Sequence, residues 1–149
     1  MIVYGTGEVK IIDYGIFNEK NEPVPVMYND ENVTIKLKAK FLKNVECPTF
    51  SITIKDFLGK EICGTNTNIQ KVYTGSCKKD EEYICEFTQK LMLAPGKYTL
   101  SISCSKYGID GDIVPINRNY DALFFEVMSK KTVVGFFAID TAVKFAKIE

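Results

Sequence analysis

Along most of the chain, apolar and polar residues alternate one by one. In Val33-Thr-Ile-Lys-Leu-Lys-Ala-Lys-Phe41, Val33, Ile35, Leu37, Ala39 and Phe41 fall on one side, and Thr34, Lys36, Lys38 and Lys40 on the other. Successive side chains of a β-strand point to opposite faces, so the pattern predicts a strand buried on one side. Tyr98-Thr-Leu-Ser-Ile-Ser-Cys-Ser105 repeats it with hydroxyls in place of lysines, and Phe50, Ile52 and Ile54 alternate with Ser51, Thr53 and Lys55. Further strands are expected at Glu8–Phe17, Glu61–Thr65, Glu82–Lys90, Leu123–Met128 and Val133–Ile139. Turn signals separate them: Asn21-Glu-Pro, Asn29-Asp30, Asp56-x-x-Gly59, Ala94-Pro-Gly96 and Asp110-Gly111. No segment sustains the spacing of an amphipathic helix. The pattern therefore predicts an all-β fold, an antiparallel immunoglobulin-like or jelly-roll β-sandwich of about eight strands.

Two stretches depart from this rhythm. Val133-Val-Gly-Phe-Phe-Ala-Ile139 is apolar almost without alternation, which asks for cover on both faces. Either it is central in a sheet, or a second subunit pairs with it by strand exchange. Gly64-Thr65-Asn66-Thr67-Asn68 has nothing bulky enough to pack a core. It reads as a turn, or as a surface that hydrogen-bonds a ligand rich in hydroxyls.

With 149 residues the chain is one domain's worth, residues 1–149, and long enough to bury a core. The 19 basic and 19 acidic side chains cancel, so no broad basic field attracts nucleic acid or anionic lipid. No apolar run approaches the length of a membrane span, and no secretory signal is visible. The five cysteines include no C-x-x-C pair, and Cys85 and Cys104 sit in strand patterns where a small buried residue belongs. They read as free thiols in a reducing compartment, which makes a cytoplasmic location the expectation. Histidine is absent, which removes the usual general base and the commonest metal ligand.

Three features invite a functional reading. Lys36, Lys38 and Lys40 form a basic stripe that suits a solvated outer face better than a phosphate site. Tyr107–Asp121 is the most polar long connection; its Asp110, Asp112, Asn117, Asn119 and Asp121 fit no EF-hand spacing, so a flexible loop is preferred to a calcium site. Within it lies Arg118, the sole arginine of a lysine-rich chain. Its planar guanidinium suits bidentate recognition of a carboxylate or phosphate, with a loose surface ion pair as the equal alternative. Ser101, Ser103 and Ser105 form a row of small hydroxyls beside Ser51 and Thr53. Such a row reads either as a floor with room for a ligand or as ordinary solvent-facing strand residues, and position by position the second reading is preferred. Two catalytic carboxylates would suffice for a glycosidase, but nothing singles out two among 19 acids.

Several segments, in order along nearly the whole chain, resemble one family. They are Tyr4-Gly-Thr-Gly-Glu-Val-Lys-Ile11, Asp56-x-x-Gly59 with Ile62-Cys-Gly-Thr-Asn-Thr67, Leu93-Ala-Pro-Gly-Lys-Tyr-Thr-Leu100, Tyr120-Asp-x-x-x-Phe-Glu-Val127, and Gly135 in the last apolar stretch. The family is the C-terminal carbohydrate-binding domain of the Wzt-type ATP-binding subunit of bacterial O-antigen and polysaccharide ABC exporters. The resemblance implies a cytoplasmic β-sandwich at the inner face of the membrane that recognises the non-reducing end of a lipid-linked O-antigen or related glycan before export. It further implies a homodimer exchanging the C-terminal strand, and, in the full complex, an ATPase domain and a membrane permease. The chain has no G-x-x-x-x-G-K-[ST] loop, so it is expected to be a domain excised from a longer subunit, itself hydrolysing no ATP.

The expected sugar-binding residues come from chemistry and not from the family. Asn66, Thr67, Ser101, Ser103 and Asp121 offer amides, hydroxyls and a carboxylate to ring hydroxyls. Tyr107 and Tyr120 supply the aromatic face, since tryptophan is absent, and Arg118 suits an acidic cap. The surface pictured is an uncharged, hydroxyl-rich hollow with no catalytic residue, metal or cofactor. The alternative is a structural dimerisation module with no sugar ligand; a carbohydrate-active enzyme comes third.

Overall fold

The computed structural model describes residues 2–149. Among them are eleven strands and no helix: β1 (Ile2–Tyr4), β2 (Val9–Phe17), β3 (Val26–Tyr28), β4 (Asn32–Phe41), β5 (Val45–Glu46), β6 (Thr49–Asp56), β7 (Glu61–Asn66), β8 (Ser76–Cys77), β9 (Glu82–Lys90), β10 (Gly96–Tyr107) and β11 (Ile113–Met128). The larger sheet runs β1-β11-β10-β6-β7, with β3 added in parallel to the far end of β11. The second sheet is β2-β4-β9, and β5 and β8 form a two-residue ladder of their own. Apart from β3, the pairings are antiparallel.

Alternation makes the core. Val33, Ile35, Leu37, Ala39 and Phe41 of β4 are at most 1% exposed and face Phe50, Ile52 and Ile54 of β6 and Leu100, Ile102 and Cys104 of β10. In β2 the pairing slips between Ile11 and Asp13, and this one-residue bulge lets both Ile11 and Ile16 point inward despite their odd spacing. Aromatic rings also meet across neighbouring strands within each sheet, with Tyr98 of β10 stacked on Phe125 of β11 at 5.8 Å and Phe41 of β4 edge-on to Tyr83 of β9 at 5.4 Å. Burial raises the thiol of Cys85 to about 11 and that of Cys104 further, so both pack as neutral apolar groups. On the outer face of β4, Lys36 and Lys38 lie 3.8 and 3.7 Å from Glu86 and Glu82 of β9, a solvated row of loose ion pairs.

Seven of the strands read from alternation are present, some with longer bounds. The four others, β1, β3, β5 and β8, have two or three residues each, too few to show a period. Two expectations are corrected. The polar stretch Tyr107–Asp121 is not a flexible loop: a tight turn, with Gly108 N–H donating to Asp112 O at 2.7 Å, leads straight into β11, and Tyr107 pairs with Ile113. Its oxygens also diverge, since Asn117 Oδ1 accepts the Ile11 N–H and Asn119 is buried on the core side.

The expected strand Val133–Ile139 does not form. Gly135 takes φ +84° and breaks the extended path, and β11 already has neighbours on both edges. The segment lies against the β9–β10 connection through one bridge, Leu93 to Phe137, leaving Val134 91% and Ile139 82% exposed. Within this chain it is not central in any sheet.

Leu37 has no exposed surface, so Leu37→Ala is expected to lower stability by about 2–5 kcal/mol in urea denaturation. Lys38→Ala, one residue along on the opposite face, is expected to change it by less than about 0.5 kcal/mol. Equal losses would contradict the assigned faces.

Candidate functional site

The face of β10 turned away from the core carries Ser101, Ser103 and Ser105. Its neighbours continue the same chemistry. Ser103 pairs with Ser51 on β6 and with Arg118 on β11; Ser51 in turn pairs with Asn66 on β7. One step along, Ser101 pairs with Thr53, which pairs with Gly64. With neighbouring strands about 4.8 Å apart, the row from Arg118 to Asn66 spans roughly 14 Å, wider than one sugar ring.

Because the side chains of the floor are short, the sheet surface is recessed. The hollow encloses about 410 Å³, within the usual range of about 300–1,000 Å³ for small-molecule sites. Tyr107, Ile113 and Lys106 stand at the hairpin end, Tyr120 and Arg118 along β11, and Thr65, Asn66 and Ile69 on the far side. Gly64 keeps the β7 side open, since a Cβ there would come within 2.7 Å of the Ile52 carbonyl oxygen and 3.4 Å of Thr53 Oγ1.

A bulge shapes the β11 wall. Leu100 pairs with Leu123 and Ile102 with Asn119, so Tyr120, Asp121 and Ala122 stand against the single residue Ser101. Asp121 adopts φ +49°, a strained conformation for a side-chain-bearing residue. Two hydrogen bonds hold it: its N–H donates to Ser101 Oγ at 3.0 Å, and its carboxylate accepts from the Thr99 hydroxyl at 3.1 Å.

Residues 2–139 match the family model described as the Wzt C-terminal domain. The chain belongs to this family. The crystal structure of the C-terminal domain of Wzt shares its fold, with a TM-score of 0.88 over 97% of this chain and 88% of that one at 23% sequence identity. A search among curated proteins returns no match.

Six of the eight residues expected at the site line the hollow of this Wzt C-terminal domain: Asn66, Ser101, Ser103, Tyr107, Arg118 and Tyr120. Two do not. Thr67 is 5% exposed, and its hydroxyl accepts the Phe50 N–H at 3.2 Å while its own N–H donates to Phe50 O at 3.0 Å. It ties the end of β7 to β6. Asp121 uses its polar groups on β10, as above. The Gly64–Asn68 run thus divides between scaffold and wall. Asn68 donates to the Tyr107 hydroxyl at 2.7 Å and steadies that ring, and Asn66 Oδ1 accepts the Ile69 N–H at 2.6 Å.

Nor is the hollow uncharged. Lys55, Glu61 and Lys106 line it together with Arg118. Lys55 was legible, because alternation from Ser51 and Thr53 puts it on the same face. Lys106 was not, because the register of β10 on β11 slips between Cys104 and Ser105. Lys106 is paired with Glu8 at 3.0 Å. Burial by itself would raise the Glu8 carboxyl, but hydrogen bonds from Lys106 and Thr6 outweigh it and hold the group below its ordinary value.

A carboxyl lowered by folding adds stability above its unfolded-chain value, about 4.3 for Glu, and that contribution is lost as pH falls through the lowered value. Glu8→Gln is therefore expected to cost stability at neutral pH and to lose less than the wild type on acidification below about pH 4. Thermal melting across the acid range tests this; parallel pH profiles for the two proteins would refute it.

Proposed function

We propose that this Wzt C-terminal domain binds the non-reducing terminus of a lipid-linked O-antigen or related polysaccharide and so provides substrate recognition for export by an ABC transporter. The observation that carries this reading is the recessed floor of short hydroxyl side chains between Tyr107 and Tyr120. Pyranose rings present hydroxyls around their edge and C–H groups on their faces. Hydroxyl and amide groups on the floor and walls suit the first, and a phenol ring suits the second. Discrimination follows from the cost of leaving a buried polar group unpaired, about 1–3 kcal/mol each. Recognition of this kind breaks no covalent bond and calls for no cofactor.

In this reading the domain works in the cytoplasm at the inner face of the membrane, attached to a transporter ATPase domain and acting with a membrane permease. The apolar segment Val133–Ile139 is the dimerisation element. Val134, Phe136 and Ile139 are 91%, 65% and 82% exposed in the single chain, and pairing with a second copy by strand exchange covers them.

Calorimetric titration with the polysaccharide of the organism that encodes the chain is expected to show saturable binding, lost on chemical removal of the terminal residue. Ser103→Phe, which fills the floor without touching the core, is expected to weaken that binding at least tenfold, an effect of about 1.4 kcal/mol or more. Absence of binding by the wild type would leave dimerisation without a sugar ligand as the function, and release of free sugar would point to an enzyme. Light scattering is expected to give a dimer; a monomer persisting at high concentration would exclude strand exchange.

A further inference from the structure

The charges around the hollow are unevenly answered. Lys106 is neutralised by Glu8 at 3.0 Å. Among the described residues, Arg118 and Lys55 have no ion-pair partner, although both are half-buried and both line the hollow. They are drawn to the same ring: Arg118 Cζ lies 6.0 Å and Lys55 Nζ 5.3 Å from the Tyr120 centroid. One Arg118 nitrogen, Nη1, donates to the Tyr120 hydroxyl at 3.2 Å, which fixes the guanidinium plane and leaves its remaining donors unassigned. Two like charges beside one ring repel, and partial burial limits the screening that water supplies. Glu61 lines the same hollow and stands across from Lys55 in the β6–β7 register, but it forms an ion pair with neither cation, and Arg118, on β11, has no acid opposite it in the register.

We infer that the hollow takes a glycan terminus bearing an anionic group, a carboxylate or a phosphate, with Arg118 as its principal contact and Lys55 beside it. This rests on the glycan-binding reading above and specifies its ligand. The position of Arg118 suits the role. It is the cross-strand neighbour of Ser103, so a ring resting on the serine floor brings an acidic substituent against the guanidinium. Carboxylate and phosphate oxygens both match its forked donors, whereas a neutral hydroxyl uses only one of them.

The test compares three preparations of the encoding organism's polysaccharide by calorimetry: native, carboxyl-reduced to the alcohol, and dephosphorylated with hydrofluoric acid. Binding to the native form is expected to exceed binding to one of the neutralised forms at least about tenfold. Which neutralised form loses binding identifies the group. Arg118→Gln is expected to lower affinity for the native form at least about tenfold and affinity for the neutralised form by much less, so that the gap between the two forms closes, with Arg118→Lys intermediate. If Arg118→Gln fails to fold, Lys55→Gln makes the same comparison with a smaller loss. Equal binding to all three preparations would overturn the anionic ligand and leave glycan recognition standing. No binding to the native form would overturn both.

Discussion

Strand β10 has to serve two surfaces at once. Leu100, Ile102 and Cys104 seal the core, and the intervening Ser101, Ser103 and Ser105 set the depth of the opposite face. Because β10 is hydrogen-bonded on both edges, to β6 and β11, neither surface can shift without the other. A slip of one residue would bring serines into the core and isoleucine and leucine out to the hollow. The register that buries the apolar side chains therefore also places the polar floor.

This coupling has an energetic side. The floor rides on strands whose inward residues are almost fully buried, so under the proposed glycan binding little ordering is left to do, and less of the interaction energy is spent on it. The walls are fastened locally. Asn68 steadies Tyr107, the Asp121 bulge holds the backbone beside Tyr120, and Thr67 anchors the end of β7. Residues that do not reach the hollow thus contribute by fixing those that do.

Most of the sandwich was legible in sequence because a half-buried strand writes its period directly. The short strands were not, since two or three residues carry no period, and β3 is recruited only by the far end of β11. Val133–Ile139 misled because apolarity reports a demand for cover and not who provides it. At the site, the serine row and Arg118 stood out by composition and alternation. Thr67 and Asp121 looked equally polar, yet their groups are consumed by the backbone of β6 and by β10, a distinction that needs the fold. Of the charged walls, Lys55 could be placed by alternation, but how the three charges come together was hidden for a related reason. Lys55, Glu61 and Lys106 come from three strands, and a bulge next to Lys106 breaks the count that would have placed it.

The outward serines of β10 have one more consequence. Their side chains lie outside the apolar core, but Ser101 and Ser105 are buried and Ser101 accepts the Asp121 N–H, so half-buried Ser103 is the position most open to exchange without disturbing the fold. Ligand preference in such a scaffold is free to drift across generations while its architecture stands still. Two members can then superpose with a TM-score of 0.88 at 23% identity, because that architecture leaves the outward positions of the sheet free to differ.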